Sequence, residues 1–277
     1  MARLLFPAFA GAVVGSAILA VAACDPDLTP HVVPGRPATE GGTTDAPAPP
    51  PSGDGGPTSE GGGEGGTEAG VAHLIDGIND FAPGEKLATT SPLYDGYLSW
   101  DEANVYFGMS GKDVGDVSDK KWVLIYVDGN PGAGNPGSAT GIGYNCSGAC
   151  TSQQAHLPFS AGFHVRWKAD GKYTDLQKWN PNAVPMAAWV DVGPISTVAR
   201  QGTFMELSIA RSAFGKPTKL KVHMNMVIEQ TGVEWTYAGV PSTSFMPDQS
   251  APPAFAKFYE FDLSDRAKAP NAYTPLP

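Results

Sequence analysis

The stretch KYTDLQKWNPN gathers side chains suited to a flat, hydroxyl-rich ligand: Tyr173 and Trp179 stand beside Asp175, Gln177, Lys178 and Asn180. An aromatic ring can cover the C–H face of a pyranose while neighbouring polar groups fix its hydroxyls. Trp179 directly precedes Asn180 and Pro181, at a strand end of the kind from which binding loops emerge. Trp189 lies in the same middle part of the chain. Trp167, Tyr173, Asp175, Gln177, Trp179 and Trp235 form the candidate ligand-binding set. Most tryptophans in a layered β fold are core; that is the reading for Trp100 and Trp122, and core stands beside the binding role as the alternative for Trp167, Trp179 and Trp235.

Other chemistry is thinner. Asp76, Asp80 and Asp128 are the right type for calcium, which takes six to eight hard oxygens. No D-x-D-x-D-G loop frames them, and turn-forming aspartates need no metal. Structural calcium is the cofactor these aspartates suggest. There is neither a G-x-S-x-G nor an H-E-x-x-H. Glu206 and Glu229 are a carboxylate pair of the kind glycoside hydrolysis uses, although solvent-facing strand glutamates look the same in sequence. Met224, Met226 and His223 are the residues an axial haem pair would draw on. The expectation is a binding protein and not an enzyme.

GAGNPG, with Gly132, Gly134 and Gly137, spells a dinucleotide fingerprint after an apolar run. That fingerprint works only where a helix begins at the glycines and turns its amino terminus to a pyrophosphate. Pro131 and Pro136 punctuate the segment, and no helical period follows. These glycines are expected in a loop.

The ends of the chain set its organisation. Residues 1–23 open with Arg3 and continue as an apolar run, a secretory signal segment. Val21-Ala22-Ala23-Cys24 resembles the bacterial lipobox, which implies cleavage before Cys24 and lipidation of its thiol; an uncleaved anchor is the alternative. Residues 24–70 follow as a tether. From Asp25 to Gly70 they hold 12 glycines, 9 prolines and no aromatic ring, too little apolar surface to offset the entropy of ordering. Such a tether spans about 35–40 Å root-mean-square. It carries eight acids and one base, most of the chain's net charge of −10, so the acidity says little about the ligand of the folded part. No basic patch points to nucleic acid. The expected location is the cell envelope, with the membrane reached through the lipid alone. In that oxidising space Cys146 and Cys150, in NCSGAC, pair most simply as a disulfide; a metal pair with His156 lacks further ligands.

Residues 71–277 must position the candidate site. In LKVHMNMVIEQ, Leu220, Val222, Met224, Met226 and Ile228 share one parity and Lys221, His223, Asn225 and Glu229 the other, the period of a half-buried strand. Three hairpins read directly: YLSW-DEAN-VYFGM, FHVRWK-ADG-KYTDLQKW and ISTVAR-QG-TFMELSI. KWVLIYV, AAWVDV, VEWTYAG and FAKFYEFDL bring the total to about ten strands, and RSAFG could make one helical turn. The fold expected is all-β, an antiparallel sandwich of jelly-roll or immunoglobulin-like kind.

Four segments, in order, carry a family resemblance: Asp76-Gly77 with Asp80; Trp100-Asp101 through Asn104-Val105-Tyr106; Asp128-Gly129-Asn130; and Glu206-Leu207-Ser208-Ile209. The set resembles carbohydrate-binding module family 9 and related DOMON-like β-sandwiches. The resemblance implies an extracellular antiparallel sandwich that binds a glycan or polysaccharide, or in other branches haem, with structural calcium in several members. Ala210-Arg211 departs from the family's usual proline, and the long loop 129–162 is outside its pattern. A structural or partner-binding envelope protein is the second expectation.

Overall fold

The computed structural model describes residues 72–141, 155–183, 188–193, 195, 197–230, 233–243 and 254–277. The segments expected as leader (1–23) and tether (24–70), with Cys24, and the expected disulfide pair Cys146 and Cys150 lie outside them. The described residues belong to one of two compact units, residues 62–277.

This unit is all-β, with strands in antiparallel sheets and only short 3-10 turns as helix among the described residues. One sheet has five strands. Its path runs from β1 (Lys86–Leu87) through β2 (Tyr94–Trp100) and β3 (Asn104–Gly111) to β11 (Phe204–Ala210) and β10 (Val198–Gln201). The other has seven: β13 (Val233–Val240), β12 (Lys219–Gln230), β4 (Lys121–Gly129), β7 (Phe163–Lys168), β8 (Thr174–Asn180) and β9 (Ala188–Gly193) in order, with β14 (Tyr259–Asp262) also paired to β12. A small two-stranded piece, β5 (Ser138–Thr140) and β6 (His156–Ala161), completes the set.

Period two builds the core. Leu98, Trp100, Val105, Phe107, Met109, Met205, Leu207 and Ile209 come from the five-stranded sheet. Val123, Ile125, Val127, Val165, Trp167, Leu220, Val222, Met224 and Met226 come from the seven-stranded one, and all belong to one buried cluster. Inward faces of two stacked sheets interdigitate in this way. Gly96 marks a close approach between them: a Cβ there would stand 2.8 Å from a Val240 methyl.

The three expected hairpins form as β2–β3, β7–β8 and β10–β11. Gly171 turns the second with φ +75°, a conformation that side chains disfavour. RSAFG makes a 3-10 turn over Arg211–Phe214. The loop holding Gly132 and Gly134 has positive φ at both and leads into the short strand β5, not into a helix. No pyrophosphate cradle forms there.

Two motif segments join through a single side chain. Glu206 on β11 is fully buried, and its Oε1 accepts hydrogen bonds from the backbone N–H of Asp76 at 2.9 Å and of Gly77 at 2.7 Å. In the β2–β3 turn Asp101 accepts from the N–H groups of Ala103 and Asn104 and, at 2.6 Å, from the Tyr106 hydroxyl. The spacings of Asp76-Gly77, Asp101, Tyr106 and Glu206 are therefore requirements of the fold.

Candidate functional site

The outer face of the seven-stranded sheet is covered unevenly. On β4 the outward residues Trp122, Leu124 and Tyr126 are buried under Leu157, Phe159 and Ala161 of β6 and under Phe258, a second apolar cluster. The chain crosses close over Tyr126: a Cβ at Gly141 would lie 2.5 Å from its hydroxyl oxygen. Among the described residues this cover does not extend over β8 and β9. Trp179 and Trp189 are half-buried register partners there, with ring centroids 5.4 Å apart and planes at 68°.

Cross-strand register places one polar rank along this face. Asp191, Gln177, His164, Tyr126 and His223 stand opposite one another on β9, β8, β7, β4 and β12. His164 is fully buried and lies flat on Tyr126, with centroids 4.5 Å apart and planes at 6°, while Trp189 approaches it at 5.5 Å. Burial, reinforced by the Arg166 guanidinium, holds its pKa well below the ordinary histidine value, so the ring is neutral. No hydrogen bond of good geometry reaches either ring nitrogen or the Oε1 of buried Gln177, and a loose approach of the Gln177 side chain offsets the lowering only in part.

His223 is also fully buried, with its pKa pushed down to about 3 by burial. Its Nδ1 lies 3.1 Å from the Lys257 carbonyl, and because a carbonyl only accepts, Nδ1 carries the proton. Nε2 is left as an unpartnered acceptor, and the Oδ1 of neighbouring Asn225 is unpartnered too. Phe255 packs on the His223 ring at 4.1 Å.

The sequence-predicted residues separate. Trp179 lies at the open margin of the outer face, and Gln177 lies beside it, buried. Tyr173 is half-buried and meets Trp122 edge-on at 5.4 Å. Trp235 lies on β13, and its side chain is outside the described residues. Trp167 is corrected to core, because its odd parity on β7 turns it inward between the sheets. Asp175 faces outward but is occupied: Arg166 grips both its oxygens, with Nε to Oδ1 at 2.7 Å, and the Tyr173 hydroxyl donates to it at 3.0 Å. A buried carboxylate so compensated has no oxygen to spare for a ligand.

The calcium set does not assemble. Asp76 and Asp80 lie by the outer face of the five-stranded sheet, Asp80 against His73 at 2.8 Å, whereas Asp128 sits on β4 opposite Lys221 in the other sheet. No three His, Cys, Asp or Glu side chains among the described residues could hold a metal ion together. Glu206 and Glu229 are likewise on different sheets. Met224 and Met226 point into the core while His223 points outward, so they could not ligate one iron.

His164 was missed in the sequence, where the histidines are scattered. The signal was available in its partner strand. WVLIYV is apolar without alternation, the mark of a strand covered on both faces, and every one of those residues is buried. A histidine opposite such a strand cannot be a simple solvent-facing residue.

No family model matches this chain, nor does any curated protein or solved structure.

Proposed function

We propose that this chain is a membrane-anchored extracytoplasmic lipoprotein whose β-sandwich reversibly binds a neutral glycan on the outer face of the seven-stranded sheet. The observation that carries the reading is the half-buried Trp179–Trp189 pair standing beside the polar rank of Gln177 and His164. Stacking surface adjoining polar groups with unused hydrogen-bonding capacity suits a sugar ring. The rings are not parallel, so they suit one face and one edge of a chain more than a sandwich around it. The resemblance to carbohydrate-binding sandwiches, drawn from motif order, supports the same reading. Anchoring rests on the Val21–Cys24 lipobox and the tether, which together would hold the domain away from the bilayer.

The test is affinity electrophoresis of the full chain in detergent through gels carrying neutral, uronate-rich or sulfated polysaccharides. Retardation by a neutral polymer, weakened about tenfold in Trp179→Ala and Trp189→Ala, is expected. Migration unchanged by every polymer, with the protein folded by circular dichroism, would defeat the reading. Cys24→Ser should move the protein from the membrane fraction to the soluble one.

A second reading, attachment to an envelope protein, has one observation in its favour. β9 is an edge strand, and it exposes Val190 and Val192 on the same parity. Unpaired strand edges accept a strand from a partner. Cross-linking in intact cells through a photoreactive residue at position 192 would reveal such a partner.

A further inference from the structure

Within the glycan-binding reading, three buried polar atoms ask for an explanation: Nδ1 and Nε2 of His164 and Oε1 of Gln177. They belong to cross-strand partners, so they stand together. A buried polar atom without a partner carries its desolvation cost with no bond in return. Natural folds carry few such atoms, and here three share one spot at the margin of the covered face. Their lining explains both the seal and the access. Tyr126 closes one side of the imidazole by stacking, and Trp189 closes another from the short edge strand β9, where its ring is half-buried and also touches Trp179.

We infer that His164 and Gln177 form a latent polar recess that a ligand hydroxyl completes, entering as the Trp189 indole swings aside. The hydrogen-bonding inventory selects the ligand group. A neutral imidazole offers one N–H donor and one bare nitrogen, and the amide oxygen offers an acceptor. A hydroxyl both donates and accepts, so hydroxyls on one sugar ring satisfy all three atoms. A carboxylate or sulfate accepts only, and would face two acceptors. The nearby charges argue the same way: Arg166 is committed to Asp175, and Asp191 presents an exposed carboxylate opposite Gln177. Uncharged, hydroxyl-rich sugars are the class that fits, and uronates and sulfated glycans are disfavoured.

This inference rests on the sugar-binding reading, and its test separates the two. His164→Phe keeps a ring on Tyr126, and Gln177→Met keeps the length of the side chain; both remove the polar atoms. A residue held for structure loses stability when its polar atoms go, whereas one held for a ligand does not. The full chain in detergent is titrated with gluco-, xylo-, manno- and galacto-hexaoses, oligogalacturonate and heparin hexasaccharide, and its melting temperature is measured without ligand. The expected result is binding of a neutral hexaose and not of the two anionic sugars. Each variant should weaken that binding at least about tenfold, with a melting temperature equal to or above the wild type's. Wild-type affinity retained in both variants, a melting temperature lowered by several degrees in either, or preferred binding of an anionic sugar would overturn the inference and leave sugar binding standing. Binding of none of these sugars by the folded wild type would remove the sugar reading, and this inference with it.

Discussion

The two outer faces of this sandwich treat buried polarity in opposite ways. On the five-stranded sheet, residues 72–85 lie across the face and their polar groups are matched. Glu206 takes two backbone N–H groups, though its Oε2 stays unpartnered. Glu85 accepts from Ala82 N–H, from Ser99 and from His73, and Phe81 fills the space among Tyr97, Tyr106 and Phe204. On the seven-stranded sheet an apolar flap covers only part of the face; His223 and Asn225 beneath it, and His164 and Gln177 at its margin, each keep at least one polar atom without a partner. A fold under selection for stability alone would have matched or removed such atoms. One face closes the domain, and the other keeps a cost that a ligand can relieve.

The sharpest break in that comparison is a residue on the second face that is fully matched. Arg166 holds Asp175, which is only 2% exposed. Arg166→Met should destabilise the domain by about 3–5 kcal/mol, because it strands a buried carboxylate. Chemical denaturation measures this, and a loss below about 1 kcal/mol would mean the pair is dispensable. His164→Phe, two residues away and on the same side of β7, is the contrast, with no loss expected.

On the closed face, Glu206→Ala should cost about 2–3 kcal/mol, since two N–H donors lose a charged acceptor. Glu206→Gln keeps an oxygen for the same donors and should cost clearly less. Equal losses would show that the charge, and not the geometry, ties Asp76-Gly77 to β11.

Trp179→Ala should be milder for stability, under about 1 kcal/mol, because the ring is half-buried at the margin of its sheet. Its effect should appear in polysaccharide retardation, weakened about tenfold. A large loss of stability with unchanged retardation would assign Trp179 to packing.

The closed face was the more legible of the two from sequence. Asp101 and Tyr106 stand at spacings that local hydrogen bonding demands, and the hairpins follow from alternation and turn residues, whereas the tie from Glu206 to Asp76 and Gly77 is long-range. The open face depends on a long-range event that period two does not encode: the chain around 138–161 and 254–258 returning over β4 and β12. Parity correctly turned His223 outward, yet could not foretell that outward there means buried. Trp167 is different: alternation in FHVRWK already puts it on the parity of Phe163 and Val165, opposite His164, Arg166 and Lys168, and that parity faces the core. The calcium set failed because aspartates near turns are alike in sequence, whichever sheet carries the turn.

The smallest effect expected concerns His73, where the closed face begins. Its side chain is nearly buried, stacked on Phe81 at 4.3 Å, with Nδ1 2.8 Å from Asp80 and Nε2 3.4 Å from Glu85. Burial alone would lower its pKa, but the hydrogen bonds to Glu85 and Asp80 outweigh this and raise it above the ordinary 6.5. Glu85 moves the other way. Burial would raise it, but the bonds from His73, Ser99 and Ala82 bring it below 4.5. A raised histidine contributes stability that is complete below its unfolded value and is lost as pH rises through its folded value. A lowered carboxyl contributes stability that is present above its unfolded value and is lost as pH falls through its folded value. The clasp is therefore fully formed from about pH 4.5 to 6.5 and loosens on either side, by no more than about 1 kcal/mol. Hydrogen exchange of residues 72–85 should quicken above pH 6.5 beyond its intrinsic pH dependence, and His73→Gln should abolish that excess. Exchange on β8 and β9, whose neighbour His164 stays neutral throughout, should show no excess in either protein. An excess shared by both faces would mean that the pH response belongs to the whole sandwich and not to this clasp.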